Sequence, residues 1–148
     1  MRGPLSQKNL KISFDIETSI IGDAAFYLFS SNERTTIENK IIVNMGTHAL
    51  QNSREQIIFF LQKEVRNGVE IHFLPFHSID LNIAIELKKR IPELIIQDIP
   101  KKLEDGVSIM SKAKFAIGER LHFNILCTMV KCPFLSVNYS PKHSDFLN

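Results

Sequence analysis

The sequence predicts an α/β fold: a doubly wound, parallel, five-stranded Rossmann-like sheet with strand order 3-2-1-4-5. Three observations carry this expectation. Five short runs are nearly continuous in apolar, β-branched and aromatic residues, as strands buried on both faces are. Amphipathic helical patterns lie between successive runs. Strand–helix alternation with right-handed crossovers then leaves few topologies.

The first run is Ile41-Ile42-Val43-Asn44-Met45. A helix follows, with Ser53 and Gln56 spaced as a capping box, Ile57, Leu61 and Val65 on one face, and Gly68 placed to close it. The second strand is Glu70-Ile71-His72-Phe73-Leu74. Ser78 caps the next helix, Ile83, Leu87 and Ile91 form its apolar face, and Pro92 ends it. Leu94-Ile95-Ile96-Gln97 is the third strand, and Leu103, Val107 and Met110 mark the third helix. Lys114-Phe115-Ala116-Ile117 is the fourth strand, and Leu121, Ile125, Leu126 and Met129 mark the fourth helix, with Pro133 beyond its end. Phe134-Leu135-Ser136-Val137-Asn138 completes the sheet.

Residues 1–40 fit this plan poorly. Gly3-Pro4-Leu5-Ser6 reads as a turn into a short helix ending near Lys11, Thr18 to Ile21 as one strand, and Ser30 to Lys40 as a polar linker. The segment has too little apolar surface to form a domain alone.

Composition narrows the function classes. The chain has 148 residues and is 44% hydrophobic and 23% charged, ordinary values for a globular domain. No apolar run approaches the roughly 18 residues a membrane span needs, and the N-terminus does not read as a signal peptide. A net charge of +2, with basic and acidic residues interspersed, gives no footprint for nucleic acid. Cys127 and Cys132 match neither a disulfide framework nor a metal spacing, which points to a reducing, cytoplasmic setting. No dinucleotide fingerprint, P-loop, nucleophile elbow or metal-ligand spacing is present, so no metal is expected.

In doubly wound sheets ligands bind beyond the carboxyl ends of the strands, where the order reverses. Here that point lies between strands one and four. The loop after strand one is Gly46-Thr47-His48; after strand four comes Gly118-Glu119-Arg120-Leu121-His122, entering a helix. Arg120 offers a planar fork for carboxylate or phosphate, and His122 a proton donor or acceptor near neutral pH. The competing reading pairs Arg120 with a surface carboxylate and leaves His122 a solvated first-turn residue. Asn138-Tyr139-Ser140-Pro141-Lys142-His143 brings a phenol, an amine and an imidazole to the same end, or is a polar turn near the chain end. His48 and His77 sit at strand ends, His72 reads as a satisfied core histidine, Asn44 as an interior group positioning the Gly46 loop, and Phe59-Phe60 as core.

These residues carry a resemblance. Ala116-Ile117-Gly118 followed by Arg120-Leu121-His122, then Ile125-Leu126-Cys127, Cys132-Pro133 and Val137-Asn138-Tyr139-Ser140-Pro141-Lys142, resemble the C-terminal part of the polysaccharide pyruvyl transferase family. So do Arg2-Gly3-Pro4-Leu5-Ser6 and Ile21-Gly22-Asp23. Ala24, Phe123 and Ser140 depart from the residues common in that family at these positions. The resemblance implies the C-terminal half of a two-domain, GT-B-type fold: residues 1–30 a remnant of the N-terminal domain, 31–40 a linker, and 41–148 the phosphoenolpyruvate-binding domain. It implies transfer of a pyruvyl group from phosphoenolpyruvate onto sugar hydroxyls as a ketal, in exopolysaccharide or cell-wall biosynthesis. Arg120 and His122 are then the catalytic candidates, and Arg2, Arg120, His122, Lys142 and Tyr139 line the substrate site. The expected partners are phosphoenolpyruvate, a saccharide acceptor and a separate N-terminal domain or second copy, with no cofactor beyond the donor. Half of a nucleotide-sugar glycosyltransferase, with Glu119 or Asp145 on a ribose, and a non-catalytic anion-binding fragment are the alternatives.

Overall fold

The computed structural model describes residues 3–19, 34, 36–46 and 53–137. Expectations that rest on Arg2, Ile20 to Asp23, His48, Tyr139, Lys142 and His143 therefore lie outside the described residues. The chain divides into two compact units, residues 1–30 with 138–148, and residues 31–137.

In the first unit, helix α1 runs Pro4–Phe14, with Pro4 in the first turn, where its missing N–H removes no helical bond. It outlasts the expected end at Lys11 by three residues and stops where Asp15 turns left-handed, at φ 53°. None of its residues is buried, and Ile12 and Phe14 are exposed.

The second unit carries β1 Glu38–Asn44, α2 Arg54–Arg66, β2 Glu70–Phe73, α3 Ser78–Arg90, β3 Ile95–Ile96, α4 Leu103–Ser111, β4 Ala113–Gly118, α5 Leu121–Met129 and β5 Phe134–Ser136. The sheet is parallel throughout, in the order β3-β2-β1-β4-β5. The strand order is the one the alternation of elements predicts. Strand β1 begins at Glu38, inside the stretch read as a linker, because Glu38 pairs with Ala113 and its N–H donates to Lys112 O at 2.8 Å. Arg34 is also anchored, donating to the carbonyls of Ser111 and Ala113.

The central strand explains its own composition. Ile41, Val43 and Met45 pack with Ile57, Ile58, Leu61, Ile83, Ala84 and Leu87 on the α2/α3 side. Ile42 packs with Met110, Phe123, Leu126 and Cys127 on the α4/α5 side. Both faces of β1 are covered, so its apolar run has no polar alternation.

Several local expectations need correction. Phe59 and Phe60 are not core: they are 66% and 38% exposed. At about 100° per residue, Ile57, Ile58 and Leu61 turn to the sheet and the two rings turn outward. Ser53 is the N-cap of α2, yet its side chain makes no capping bond. The cap of α3 is His77, not Ser78; His77 Nδ1 accepts from Ile79 N at 3.2 Å. Gly68 does follow α2, at φ 76°, its N–H donating to Val65 O at 2.9 Å. Helix α5 closes without glycine: Lys131 takes φ 56°, Lys131 N donates to Thr128 O at 3.1 Å and Cys132 N to Cys127 O at 2.8 Å. That Schellman pattern brings the third-last helical residue and the third residue past the end together. Both are cysteines, so Cys127 and Cys132 are a buried apolar contact, free of any disulfide.

Candidate functional site

The carboxyl ends of β1, β2 and β4 meet through Asn44, the last residue of β1. Its side chain is fully buried. Asn44 Nδ2 donates to Leu74 O at 2.9 Å, just beyond β2, and Oδ1 accepts from Arg120 N at 3.3 Å, just beyond β4. Its carbonyl accepts from Glu119 N at 2.9 Å. Asn44 thus ties together the loops after β2 and β4, and the Gly46 loop it was expected to position is held by Glu119 instead.

Glu119 holds the Gly46 loop. Its carboxylate, 2% exposed, accepts from Gly46 N at 2.7 Å. A Cβ at residue 46 would meet Glu119 Oε1 at 2.7 Å, so a side chain there would displace the carboxylate that holds the loop. Gly118 is as constrained, since a Cβ there would collide with the Phe123 ring and the Asn124 amide.

Arg120 is the N-cap residue of α5 and reaches across the sheet end to the start of α3. Its Nε lies 2.8 Å from Asp80 Oδ2 and 3.1 Å from Oδ1, and its Nη2 bonds Oδ1. Asp80 is fully buried and also accepts from Phe76 N at 3.0 Å and His77 N at 3.1 Å. Burial pushes its carboxyl up, but the Arg120 hydrogen bonds and charge, with the two backbone N–H groups, outweigh burial and hold it below the usual carboxylate range. The Arg120 side chain stays 33% exposed. The competing reading of Arg120 as an ion-pair residue is therefore correct about the pair but not about its place. The partner is a buried carboxylate at the ligand end of the sheet.

His122 sits in the first turn of α5 and is exposed. Arg120 and His122 are brought to one helix start; Arg2, Tyr139 and Lys142 lie outside the described residues. His72 is satisfied, between Glu70 Oε2 at 2.9 Å and Gln97 Nε2 at 2.9 Å. Among the described residues, no group of three or more His, Cys, Asp or Glu side chains could hold a metal ion.

Sequence reasoning missed Asp80. The signal was an acid in the first turn of α3, three residues after the true N-cap. Placing the cap one residue late, at Ser78, hid it.

The family model of the polysaccharide pyruvyl transferases matches residues 1–141, nearly the whole chain. The chain belongs to the polysaccharide pyruvyl transferase family. No curated protein matches it. Among solved structures, the E. coli heptosyltransferase WaaC with ADP-2-deoxy-2-fluoro heptose is similar, with a TM-score of 0.56 and 15% identity over 88% of this chain. The chain spans 44% of that heptosyltransferase. At this identity the likeness shows fold: the pyruvyl transferase family chain shares the parallel α/β architecture of a GT-B glycosyltransferase. No helix among its described residues is long and apolar enough to cross a membrane.

Proposed function

We propose that this chain carries the phosphoenolpyruvate side of a pyruvyl transferase that builds a ketal on two hydroxyls of a sugar. The supporting observation is the guanidinium of Arg120, held by the buried Asp80 at the carboxyl end of β4 in a chain of this family. Phosphoenolpyruvate bears a carboxylate and a phosphate, which a planar guanidinium binds in bidentate fashion. Family resemblance adds Arg2 and Lys142 as cationic partners and Tyr139 as a lining residue.

In the proposed reaction His122 gives a proton to the methylene carbon of phosphoenolpyruvate, whose π electrons form the new C–H bond. The central carbon becomes oxocarbenium-like, and a sugar hydroxyl attacks it and returns its proton to His122. Cleavage of the bond from that carbon to the phosphate oxygen regenerates the electrophile, and a second hydroxyl attacks it to close the ketal, its proton leaving with the phosphate. Arg120 offsets the charge on the leaving phosphate. The donor is a substrate, and the scheme uses no other cofactor. A cytoplasmic site is part of the proposal and rests on the two free cysteine thiols.

The nucleotide-sugar alternative needs an acid on a ribose. Glu119 is 2% exposed and accepts from Gly46 N, which does not favour that role.

Calorimetric titration tests the reading. Phosphoenolpyruvate is expected to bind more tightly than inorganic phosphate, and Arg120→Lys to weaken it by part of the ~1.5–3 kcal/mol typical of a hydrogen bond to a charged group. His122→Asn is expected to affect turnover more than binding. Equal affinity for phosphate and phosphoenolpyruvate, or no loss in Arg120→Lys, overturns the assignment.

A further inference from the structure

We propose that Asp80 is the positioning residue of the anion site: it fixes the plane of the Arg120 guanidinium so that the outer edge of the fork is presented at the sheet end. The inference rests on the reading of Arg120 as the anion ligand. It goes beyond it in naming the residue, in the first turn of a different helix, α3, that would make that arginine directional.

The geometry is specific. A guanidinium has five N–H donors in a rigid fork. Asp80 engages the Nε–Nη2 edge through both of its carboxylate oxygens. By the geometry of a planar group, Nη1 then lies on the side away from Asp80, and one third of the side chain is open to solvent. Asp80 itself cannot swing, since Phe76 N and His77 N hold the same carboxylate at 3.0 and 3.1 Å and no part of it is exposed. The arginine backbone is fixed too, through Arg120 N on Asn44. Both ends of a long, rotamer-rich side chain are thereby ordered before any ligand arrives, which removes an entropy cost from binding.

Two effects of Asp80 oppose each other. Orientation strengthens anion binding. Charge cancellation weakens it, because the Asp80–Arg120 pair is close to neutral and leaves the ligand mainly directed hydrogen bonds. The sign of the change on removing the Asp80 charge separates them. If orientation dominates, Asp80→Asn weakens phosphoenolpyruvate binding although the site has gained a positive charge. If Asp80 is only a counter-ion, the same change tightens binding.

The experiment uses the 148-residue chain, wild type and Asp80→Asn, alone and combined with Arg120→Lys. Phosphoenolpyruvate affinity is read by calorimetry. The Arg120 Nε–H resonance, assigned by its absence in Arg120→Lys, is read by proton–nitrogen correlation spectroscopy. The expected result is a roughly tenfold or larger loss of affinity in Asp80→Asn, the scale of a lost charge-assisted hydrogen bond. The Nε–H signal is expected to exchange slowly in wild type and rapidly in the variant. Asp80→Asn should add nothing in the Arg120→Lys background, since its effect passes through the arginine fork. Unchanged or tighter binding in Asp80→Asn overturns the proposal, and so does an Nε–H signal that the substitution does not alter. A purely structural aspartate would lower the melting temperature and leave both readouts of the folded protein where they were. If Asp80→Asn does not fold, a fast-exchanging Nε–H in wild type overturns the proposal, and a slow one supports it. If wild type shows no preference for phosphoenolpyruvate, the functional reading fails, and the Nε–H comparison alone decides whether Asp80 orders Arg120.

Discussion

The backbone N–H of Gly46 donates to the carboxylate of Glu119 at 2.7 Å, tying the loop that leaves β1 to the loop that leaves β4. The acid is 2% exposed and lies at the gap where strand order reverses. Removing the carboxylate strands a buried N–H. Glu119→Ala is therefore expected to destabilise the fold by about 1–3 kcal/mol, and Glu119→Gln by less, because the amide oxygen can still accept. Denaturant unfolding of the three proteins checks the order.

Gly118 ends β4 against α5. A methyl group there would enter the space of Phe123 and Asn124, both fully buried. Gly118→Ala is expected to cost about 1–3 kcal/mol through overpacking, and more if α5 cannot shift. Stability equal to wild type would show that the helix gives way freely.

Arg120 has a structural role beside its proposed functional one. Arg120→Ala leaves the buried Asp80 carboxylate with backbone donors from Phe76 and His77 and no cation among the described residues. Breaking a buried pair in this way typically costs about 3–5 kcal/mol, a large share of a domain's ~5–15 kcal/mol total. Arg120→Lys keeps the charge and should lose less. Thermal unfolding checks both, and the titrations above use the lysine variant for this reason.

The pair also sets a pH dependence. Asp80 is held below its ordinary value of 3.8 in the folded state. A carboxylate with a depressed folded-state pKa contributes its stability fully above its unfolded pKa, and the contribution disappears as pH falls through the folded value. Wild type should therefore lose stability below about pH 4 more steeply than Asp80→Asn. Glu38 and Glu55 are also lowered, by Lys40 and Arg90, but they are common to both proteins and drop out of the comparison. Parallel acid limbs would remove the Asp80 contribution.

Cys127 and Cys132 are 0% and 3% exposed; burial pushes the Cys127 thiol up, and the hydrogen bond with Cys127 holds the Cys132 thiol down, so Cys132 is protected by lack of access rather than by its acidity. Thiolate is the reactive form. Neither residue is expected to react with a water-soluble disulfide reagent until the protein unfolds, so thiol release should track the unfolding curve. Rapid labelling of the native protein would contradict the packing of the α5 end.

The sheet order, the central place of β1 and the arrangement of helices were legible because burial on both faces leaves a one-dimensional signature. Ile41, Val43 and Met45 fall in one apolar cluster and Ile42 in the other, and so they read as a nearly continuous run. Caps were legible only to within a residue. His77 took the role read into Ser78, because which side chain reaches a helical N–H depends on backbone angles that residue type alone does not set. Phe59 and Phe60 were misread because two adjacent rings cannot both face the sheet from a helix already anchored by Ile57, Ile58 and Leu61.

The sequence by itself determined the α/β class, the 3-2-1-4-5 order, and Arg120 and His122 as residues of the switch point. These depend on local periodicity and on motif residues a few positions apart. Only the tertiary structure decided what Arg120 touches. Asp80 lies forty positions away in the chain and Asn44 seventy-six, and the crossovers bring all three to one end of the sheet. Only folding makes such a pair, because an isolated acid in a first helical turn looks the same whether it merely caps its helix or also holds an arginine from another.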